Sequence, residues 1–359
     1  MDIAPKYRML MLFVSALAAT WLVYWPIIKI AREKNIVDNP GERKLQKRPV
    51  PVMGGIAVFF GIVVGLCYFK TMLSYTSLFS TLGAMVIMLY VGTIDDIRNI
   101  PPWVRLVIEV VVATLLIYGT HFSICNFQGL WGIKLLPTVW AVPLSVLAMV
   151  GIINAINMID GVDGLVSGYC IMACGLFFLV FFLSYDYSTA ALAAVCIGAL
   201  IPFFIHNVFG HENKMFIGDG GTMMIGTVLS SMVMVLCRYR TEYLMFVDHQ
   251  FGVIAFSLAV LSVPVFDTLR VILWRLLHGR SPFRADKNHL HHYLIDAGLS
   301  HFGVTMAEIA LNMAVVAAWA LTWQRGAGVE VQLYVVAGVA FVLTFGLAGL
   351  LHLKYRRRR

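Results

Sequence analysis

The chain has 359 residues, of which 60% are hydrophobic and 13% charged, and its formal net charge is +8. Soluble domains are about 45–50% apolar and about 25% charged, so this composition excludes an ordinary soluble protein and indicates an integral membrane protein. The positive charge does not indicate nucleic-acid binding, because the basic residues are distributed as the loops of a membrane protein require.

Eleven apolar stretches predict membrane-spanning helices, because about 20 apolar residues cross a bilayer as a helix. In chain order they are residues 9–30, 53–69, 76–93, 104–119, 137–158, 164–184, 189–206, 221–237, 251–275, 304–324 and 332–353. Several are short, so ten spans are an alternative. None alternates apolar and polar residues as a membrane β-barrel strand does. We therefore expect an all-α polytopic membrane protein in which residues 1–359 form a single domain.

The connections between these stretches alternate between the two sides of the membrane, and most Lys and Arg residues fall on the odd-numbered ones. The positive-inside rule makes that side cytoplasmic. The amino terminus would then lie outside, and the tail "KYRRRR" would lie inside, against anionic headgroups. On the outer side, a Gly-Leu-Trp-Gly turn predicts a small periplasmic β-hairpin near residues 121–136.

Acidic residues and histidines concentrate on the predicted cytoplasmic connections. The segments are about 31–55, 92–103, 154–165, 206–222 and 275–303. A channel or transporter usually places polar groups at mid-membrane, reachable from both faces. Polar groups on one face instead favour an enzyme that takes a soluble substrate from the cytosol and a lipid from the membrane. A transporter remains the non-enzyme alternative.

Two of these segments are rich in acids and amides. "GTIDDIRNI" places Asp95 and Asp96 together, and a hard cation such as Mg²⁺ prefers such oxygen ligands. The alternative is a solvated helix end, with Asp96 paired to Arg98 or Arg105. In "NAINMIDGVDGL", Asn157 and Asp160 share one helical face, and Asp163 follows between glycines, which allow close backbone approach. Loop capping is the alternative there.

Three further segments carry groups suited to anions. In "FIGDGGT", Asp219 lies in a glycine turn that opens a helix, where backbone N–H groups can hold a phosphate. Lys47 precedes the stiff segment "RPVPV" and is either an anion clamp or a simple flanking charge. In "DKNHLHH", the histidines lack the nearby cysteine and the spacing of a zinc site, so phosphate contact fits better than metal; a solvated loop is the alternative. Together the clusters suggest phosphoryl transfer at the membrane surface.

These motifs occur in the order typical of a known family. "PVPVMGG", "GTIDDIRNI", "NAINMIDGVDGL", "FIGDGGT", "PVFDTLRVILWR" and "SPFRADKNHLHH", spread over about residues 40–302, resemble those of the polyprenyl-phosphate N-acetylhexosamine-1-phosphate transferases. The last two are most similar to the bacterial undecaprenyl-phosphate GlcNAc-1-phosphate transferases of O-antigen, enterobacterial common antigen and teichoic acid synthesis.

The resemblance implies a reaction in which UDP-GlcNAc and undecaprenyl phosphate give undecaprenyl-diphosphate-GlcNAc and UMP. It implies Mg²⁺, with Mn²⁺ as an alternative, and an active site on the cytoplasmic face of the bacterial inner membrane. The partners it implies are the UDP-sugar, undecaprenyl phosphate, membrane lipids and a second copy in a homodimer. Another donor, such as UDP-GalNAc or the MurNAc-pentapeptide nucleotide, remains open.

The resemblance also implies a role for each matching residue. Asp95 and Asp96 would act on the lipid phosphate, while Asp160 and Asp163 would serve catalysis at the nucleotide pocket. From the chemistry of the acceptor we also expect Asp95 to position the lipid phosphate and to take any residual proton. Asp219 and Asn157 would hold the metal. Substrate binding would fall to Lys47, Asn207, Phe216, Asp267, His289, His291 and His292.

Overall fold

Helices make up nearly all the regular structure of the computed structural model, which describes residues 4–39, 48–67, 75–238, 250–283 and 286–355. The helices are α1 (Pro5–Glu33), α2 (Gly54–Cys67), α3 (Tyr75–Arg98), α4 (Pro102–Thr120), α5 (Thr138–Met158), α6 (Leu165–Leu183), α7 (Tyr187–Phe209), α8 (Gly218–Arg238), α9 (Val253–Val260), α10 (Ser262–Leu277), α11 (Leu290–Asp296), α12 (His301–Gln324), α13 (Val329–Phe341) and α14 (Leu347–Tyr355). A π-helical turn, Val342–Gly346, joins α13 to α14.

Nine spans in the described residues are long and apolar enough to cross a membrane, counting α13 and α14 as one. The bent pair α9–α10 would make a tenth, and α2 is a shorter apolar helix of 14 residues. Every predicted stretch therefore falls on a helix, and the prediction of an all-α polytopic membrane protein is confirmed.

Regular β-structure is small in the described chain. Strands β1 (Val37–Asp38) and β2 (Val50–Pro51) pair antiparallel, with Val37 opposite Pro51. The hairpin predicted near residues 121–136 is reduced to one antiparallel bridge, between Asn126 and Leu135. A turn and a single-turn 3₁₀ helix, Leu130–Gly132, lie inside that bridge.

Helix α8 is the centre of the molecule, because its whole membrane-crossing window is buried within the protein. Glycines let its first turn approach two neighbours closely. A Cβ on Gly92 of α3 would collide with the backbone of Gly220, and Gly55 of α2 lies equally close to Gly221. Small residues of this kind allow backbones in membranes to touch. The start of α8 is thereby fixed against the end of α3.

The ninth predicted span is broken into α9 and α10, and the chain bends by 74° between them. Backbone groups freed by such a break need partners, because bare ones cost several kcal/mol in lipid. The buried side chain of Asn312 on α12 supplies them: its Nδ2 donates to Val260 O at 3.0 Å, and its Oδ1 accepts from Val263 N at 3.1 Å. The break turns α10 so that Asp267 and the residues after it reach the polar site.

Candidate active site

The carboxylate of Asp96 holds the first turn of α8. One of its oxygens accepts from Asp219 N at 3.0 Å and the other from Gly220 N at 3.5 Å. The left-handed backbone at Gly218, with φ of +73°, lets the chain turn sharply into the helix. Anionic groups are stabilised at a helix N-terminus. Asp96 therefore acts in this structure as a cap that positions Asp219.

Arg105 of α4 lies among three carboxylates. Its Nη1 is 2.8 Å from Asp95 Oδ2 and 3.5 Å from Asp219 Oδ2, and its Nε is 3.8 Å from Glu109 Oε1. The other oxygen of Asp95 accepts from Ile100 N at 2.6 Å. The sequence suggested Arg105 as a partner for Asp96, but the structure pairs it with Asp95. Both oxygens of Asp95 are engaged, and that side chain is nearly buried.

Asn157 and Asp219, the predicted metal pair, are in direct contact. Asn157 Nδ2 donates to Asp219 Oδ1 at 2.9 Å and to Thr222 Oγ1 at 2.8 Å. The Asp219 side chain is 34% exposed, so an ion could reach it. Among the described residues, no group of three or more His, Cys, Asp and Glu side chains is arranged to hold a metal.

The oxygens of Asp219 and Asn157 suit a Mg²⁺ ion that is only partly held by the protein. Mg²⁺ is usually bound by one or two carboxylates together with waters and substrate phosphates. Asp219 offers the carboxylate, and a half-turn of the Asn157 amide would present its oxygen beside it. The two residues therefore suit an ion whose remaining ligands come from the substrate.

The turn after α5 carries two carboxylates in opposite electrostatic states. Asp160 opens onto the cavity and its side chain is exposed there, but the protein around the carboxylate removes enough solvent to raise its pKa to about 7. The carboxylates of Asp219, Asp163 and Asp38 raise the pKa further in the same direction. Asp160 therefore changes charge near neutral pH.

Asp163 is ionised instead. Burial opposes ionisation, but hydrogen bonds from His301 and Lys214 outweigh it and lower the pKa of Asp163 below its ordinary value. Lys214 Nζ lies 2.5 Å from Asp163 Oδ1, and His301 Nδ1 lies 2.8 Å from Oδ2. Each oxygen of the carboxylate is thus held by a different part of the chain.

Two further predicted residues lie on the segment that leads into α8. Asn207 is buried and joins two loops, accepting from Gly164 N at 2.6 Å and donating to Met215 O at 2.9 Å. Phe216 N donates to Pro51 O at 2.8 Å, and its ring lies 5.1 Å from Lys214 Nζ. Asn207 fixes the loops around the site, whereas Phe216 presents a partly exposed ring. Lys47 lies outside the described residues.

Asp267 of α10 is buried and organises the histidine segment. It accepts from His289 Nδ1 at 2.8 Å and from Arg270 Nη2 at 2.6 Å, and Leu290 N donates to it at 3.1 Å. The intrahelical pair between Asp267 and Arg270 that the sequence suggested is present, and His289 joins it. This carboxylate is saturated with donors and anchors α11.

His291 connects the histidines to the carboxylates. Its ring lies against Gly161 of the turn after α5, where an added Cβ would be 2.5 Å from Nε2. The ring is buried, and its Nδ1 has no partner within the described part of the chain. Burial, and then the rings of His292 and His289, lower the pKa of His291 well below its ordinary value. His291 is therefore a neutral hydrogen-bonding group at pH 7.

A cavity of about 680 Å³ begins at these polar groups and continues between α5, α8, α9 and α10. Its polar end is lined by Arg105, Asp160, His289, His291 and His292. The rest is mostly apolar and reaches Cys237 near the end of α8 and Ile124, which follows the end of α4. Along α5 the lining extends from Leu147 to Met158, a rise of about 17 Å. The cavity is an elongated, mostly apolar groove with a polar head.

Four site residues are absent from the predicted set: Arg105, Glu109, Lys214 and His301. Glu109 is buried and accepts from Asn154 Nδ2. The sequence feature that could have identified Glu109 is its position as an acidic residue inside the apolar stretch 104–119. Lys214 and His301 lie within the predicted polar segments, but nothing in their spacing reveals that they meet at Asp163.

Fold and cavity together define a polytopic membrane protein whose polar site opens onto an apolar groove. Residues 78–237 match the glycosyl transferase family 4 model. A probable undecaprenyl-phosphate N-acetylglucosaminyl 1-phosphate transferase of Bacillus subtilis is 32% identical, over 82% of this chain and 79% of its own length. The chain therefore belongs to glycosyl transferase family 4, and the predicted resemblance is confirmed.

Other relatives agree. The undecaprenyl-phosphate alpha-N-acetylglucosaminyl 1-phosphate transferase of Escherichia coli K12 is 27% identical over 89% of this chain and 84% of its own length. A decaprenyl-phosphate N-acetylglucosaminephosphotransferase of Mycobacterium tuberculosis is 29% identical over 94% and 89%. The similarity thus extends well beyond the matched family region, across nearly the whole chain.

Proposed function

We propose that this protein transfers N-acetylglucosamine-1-phosphate from UDP-GlcNAc to undecaprenyl phosphate, releasing UMP and starting a lipid-linked cell-surface glycan. The observation that carries the proposal is the apolar groove with its polar head, which suits a long lipid that ends in a phosphate. The relatives' names add the sugar and the polyprenyl acceptor. The polar head would face the cytoplasm of a bacterial inner membrane, where the nucleotide sugar is available.

The proposed reaction is a direct displacement. An oxygen of the lipid phosphate forms a bond to the phosphorus that carries the sugar, and the bond from that phosphorus to UMP breaks. The second pKa of a phosphate monoester is about 6, so the attacking group is mostly dianionic and hardly needs a base. Its difficulty is repulsion from the diphosphate, and catalysis is then mostly positioning and charge neutralisation.

Charge neutralisation would be shared between the chain and a metal. Mg²⁺ held by Asp219 and Asn157 would offset the negative charge of the diphosphate. Arg105, at the cavity's polar end, would face the incoming phosphate while holding Asp95 in place. Neutral His291 would donate a hydrogen bond without adding fixed charge.

We assign the residual proton of a monoanionic acceptor to Asp160 rather than to Asp95. Both oxygens of Asp95 already accept hydrogen bonds, from Ile100 N and from Arg105. Asp160 lines the cavity, and its pKa of about 7 is close to that of the phosphate. A group with a matched pKa exchanges a proton most effectively near neutral pH.

The test is an assay in proteoliposomes that contain the purified protein and undecaprenyl phosphate. UDP-GlcNAc should release UMP and form a lipid-linked product, whereas UDP-GalNAc and the MurNAc-pentapeptide nucleotide should react much more slowly. Uptake of the nucleotide sugar without UMP release would favour a transporter and contradict the proposal. Isolation of a covalent sugar-phosphoryl enzyme would contradict direct displacement.

A further inference from the structure

Two residues of helix α12 hold a single residue of the active-site turn, Asp163. His301, the first residue of the helix, has Nδ1 2.8 Å from Asp163 Oδ2, and Asp163 N lies 3.3 Å from the same nitrogen. The shorter contact, to the carboxylate, requires a proton on Nδ1, so His301 is the donor to Asp163 Oδ2. One turn later, Thr305 Oγ1 donates to the carbonyl oxygen of Asp163 at 3.0 Å. The helix lies outside the matched family region, residues 78–237. It nevertheless fixes both the side chain and the backbone of Asp163.

The opposite side of Asp163 is held by the segment before α8. Lys214 Nζ lies 2.5 Å from Oδ1, and the same ammonium group lies over the ring of Phe216. A carboxylate has about four lone-pair sites, so each oxygen keeps capacity for another donor. The Asp163 side chain is buried only in part. It is therefore an oriented acceptor, beside an aromatic ring, that a ligand can reach.

An aromatic face beside an oriented acceptor is suited to a nucleobase. Proteins hold unstacked bases by stacking them on aromatic side chains and by hydrogen bonds to the polar edges of the base. Phe216 offers the face, and Asp163 offers an acceptor for a ring N–H. Without His301, the Asp163 carboxylate could rotate about its side-chain torsion and bind Lys214 with both oxygens. The acceptor would then turn away from the base, and Lys214 would leave the ring.

We propose that His301 is a positioning residue, which holds Asp163 so that its carboxylate receives an N–H of the donor's nucleobase. The proposal rests on the proposed function, because it takes the donor to be a uridine nucleotide. His301 acts through Asp163 and is not a catalytic residue. Its effect should fall on the binding of the nucleotide sugar and not on the lipid acceptor.

The experiment compares two substitutions of His301 in the full-length protein. His301→Leu removes the donor, and the KM for UDP-GlcNAc should rise by about tenfold or more, as expected for a lost hydrogen bond to a charged group. The kcat and the KM for undecaprenyl phosphate should change less than twofold (roughly 0.4 kcal/mol). His301→Asn places an amide N–H near the position of Nδ1 and should restore most of the wild-type KM.

Two other variants, one on α12 and one at its N-cap, complete the comparison. Thr305→Val removes the hydrogen bond to the Asp163 carbonyl oxygen and should raise the KM for UDP-GlcNAc by roughly threefold. Ser300→Ala removes the side chain that caps α12 by accepting from Gly303 N, and it does not contact Asp163. It should leave the KM for UDP-GlcNAc unchanged. An equal rise in Ser300→Ala would mean that His301 only stabilises the helix and would overturn the proposal.

Other outcomes are equally decisive. An unchanged KM for UDP-GlcNAc in His301→Leu, or an Asn variant as impaired as the Leu variant, would overturn the role of His301. Failure of the proposed function has a different signature, which is that the wild-type protein releases no UMP. In that case, equilibrium binding of UDP to the purified wild-type and Leu variants still tests the contact. Equal affinities would refute it, and a tenfold weaker affinity in the variant would support it.

Discussion

The two sides of the polar head have opposite electrostatic character. On the carboxylate side, formed by the ends of α3 and α5 and the start of α8, acids outnumber the basic groups that contact them in the described structure, with Arg105 shared among three. On the histidine side, Asp267 is saturated by Arg270, His289 and a backbone N–H, and His291 is neutral. One side therefore carries excess negative charge, and the other has its carboxylate balanced and offers the uncharged ring of His291.

The difference shows how one cavity can suit both a metal and a phosphate. Excess carboxylate draws in a divalent cation, which then attracts the diphosphate. The neutral His291 imidazole can bind a phosphate oxygen without pairing with the nearby acids. A permanent cation in its place would instead form an ion pair with them.

The largest expected effect comes from removing the charge at the centre of the carboxylate side. Asp219→Asn keeps the shape but removes the anionic ligand, and UMP release should fall by at least about 10²-fold, as loss of metal affinity predicts. Thr222→Val is the matched comparison, since it keeps both side chains of the pair and removes only a hydroxyl that accepts from Asn157 Nδ2 and donates to the Asp219 carbonyl oxygen; it should cost less than tenfold. Nearly normal turnover in Asp219→Asn, with the protein correctly inserted, would refute the metal role.

Removing the shared cation should damage stability as well as turnover. Arg105→Ala leaves Asp95 and Glu109 without their partner, and stranding a buried charge costs about 3–5 kcal/mol. We expect a lower Tm in detergent. Adding Glu109→Gln should recover part of the Tm without restoring UMP release. If Arg105→Ala melts at the wild-type temperature, the three carboxylates do not depend on this cation.

The pH dependence of kcat/KM should show whether Asp160 is the proton acceptor. Its carboxyl is protonated below a pKa of about 7 and cannot then accept a proton, so kcat/KM should rise as the pH increases through about 7. Asp160→Asn should lower activity and remove this limb. Because the pKa is raised in the folded protein, ionisation destabilises the fold as the pH rises from about 4 to 7. Asp160→Asn should consequently raise the Tm at alkaline pH, and a lower Tm there would contradict the pKa shift.

The smallest expected effect comes from disturbing the contact between the two sides, where Gly161 meets His291. In Gly161→Ala, the new Cβ would lie 2.5 Å from His291 Nε2, so the imidazole must move. We expect UMP release to fall by a few-fold, about what a weakened neutral hydrogen bond explains. Gly175→Ala, where a Cβ meets no atom of the described residues within 4 Å, is the control. Equal effects in the two variants would show that the contact between His291 and Gly161 is unimportant.

The sequence predicted the helices well because every span, whether lipid or other helices surround it, must be apolar and must satisfy its backbone hydrogen bonds within the helix. It also predicted which segments carry the polar groups. It could not predict the pairing within the site. Asp163 and His301 are 138 residues apart, and only the packing of α12 against the turn after α5 brings them together. Arg105 illustrates the same limit, since three nearby acids compete for it and geometry decides among them.

Asn207, predicted to bind substrate, is buried and hydrogen-bonds to two loops. Lys47 lies outside the described residues. Their functional roles remain predictions. The histidines were expected to face an anion, which stays a prediction; the structure adds that His291 is a buried neutral ring in the cavity lining. Burial, which sets that protonation state, depends on α11 lying against Gly161, and the letters "HLHH" do not contain this information.

The complete burial of α8 has a consequence for the bilayer. A helix that touches lipid shifts or tilts when the hydrocarbon thickness changes, because mismatch costs a fraction of a kcal/mol per Å. Helix α8 is surrounded by other helices along its whole membrane-crossing window, so its neighbours and not the lipid set its height. Asp219, in its first turn, is fixed with it. Thin and thick membranes should then deform the outer helices, while the Asp219 carboxylate keeps its distance from Asp95 and Asp160.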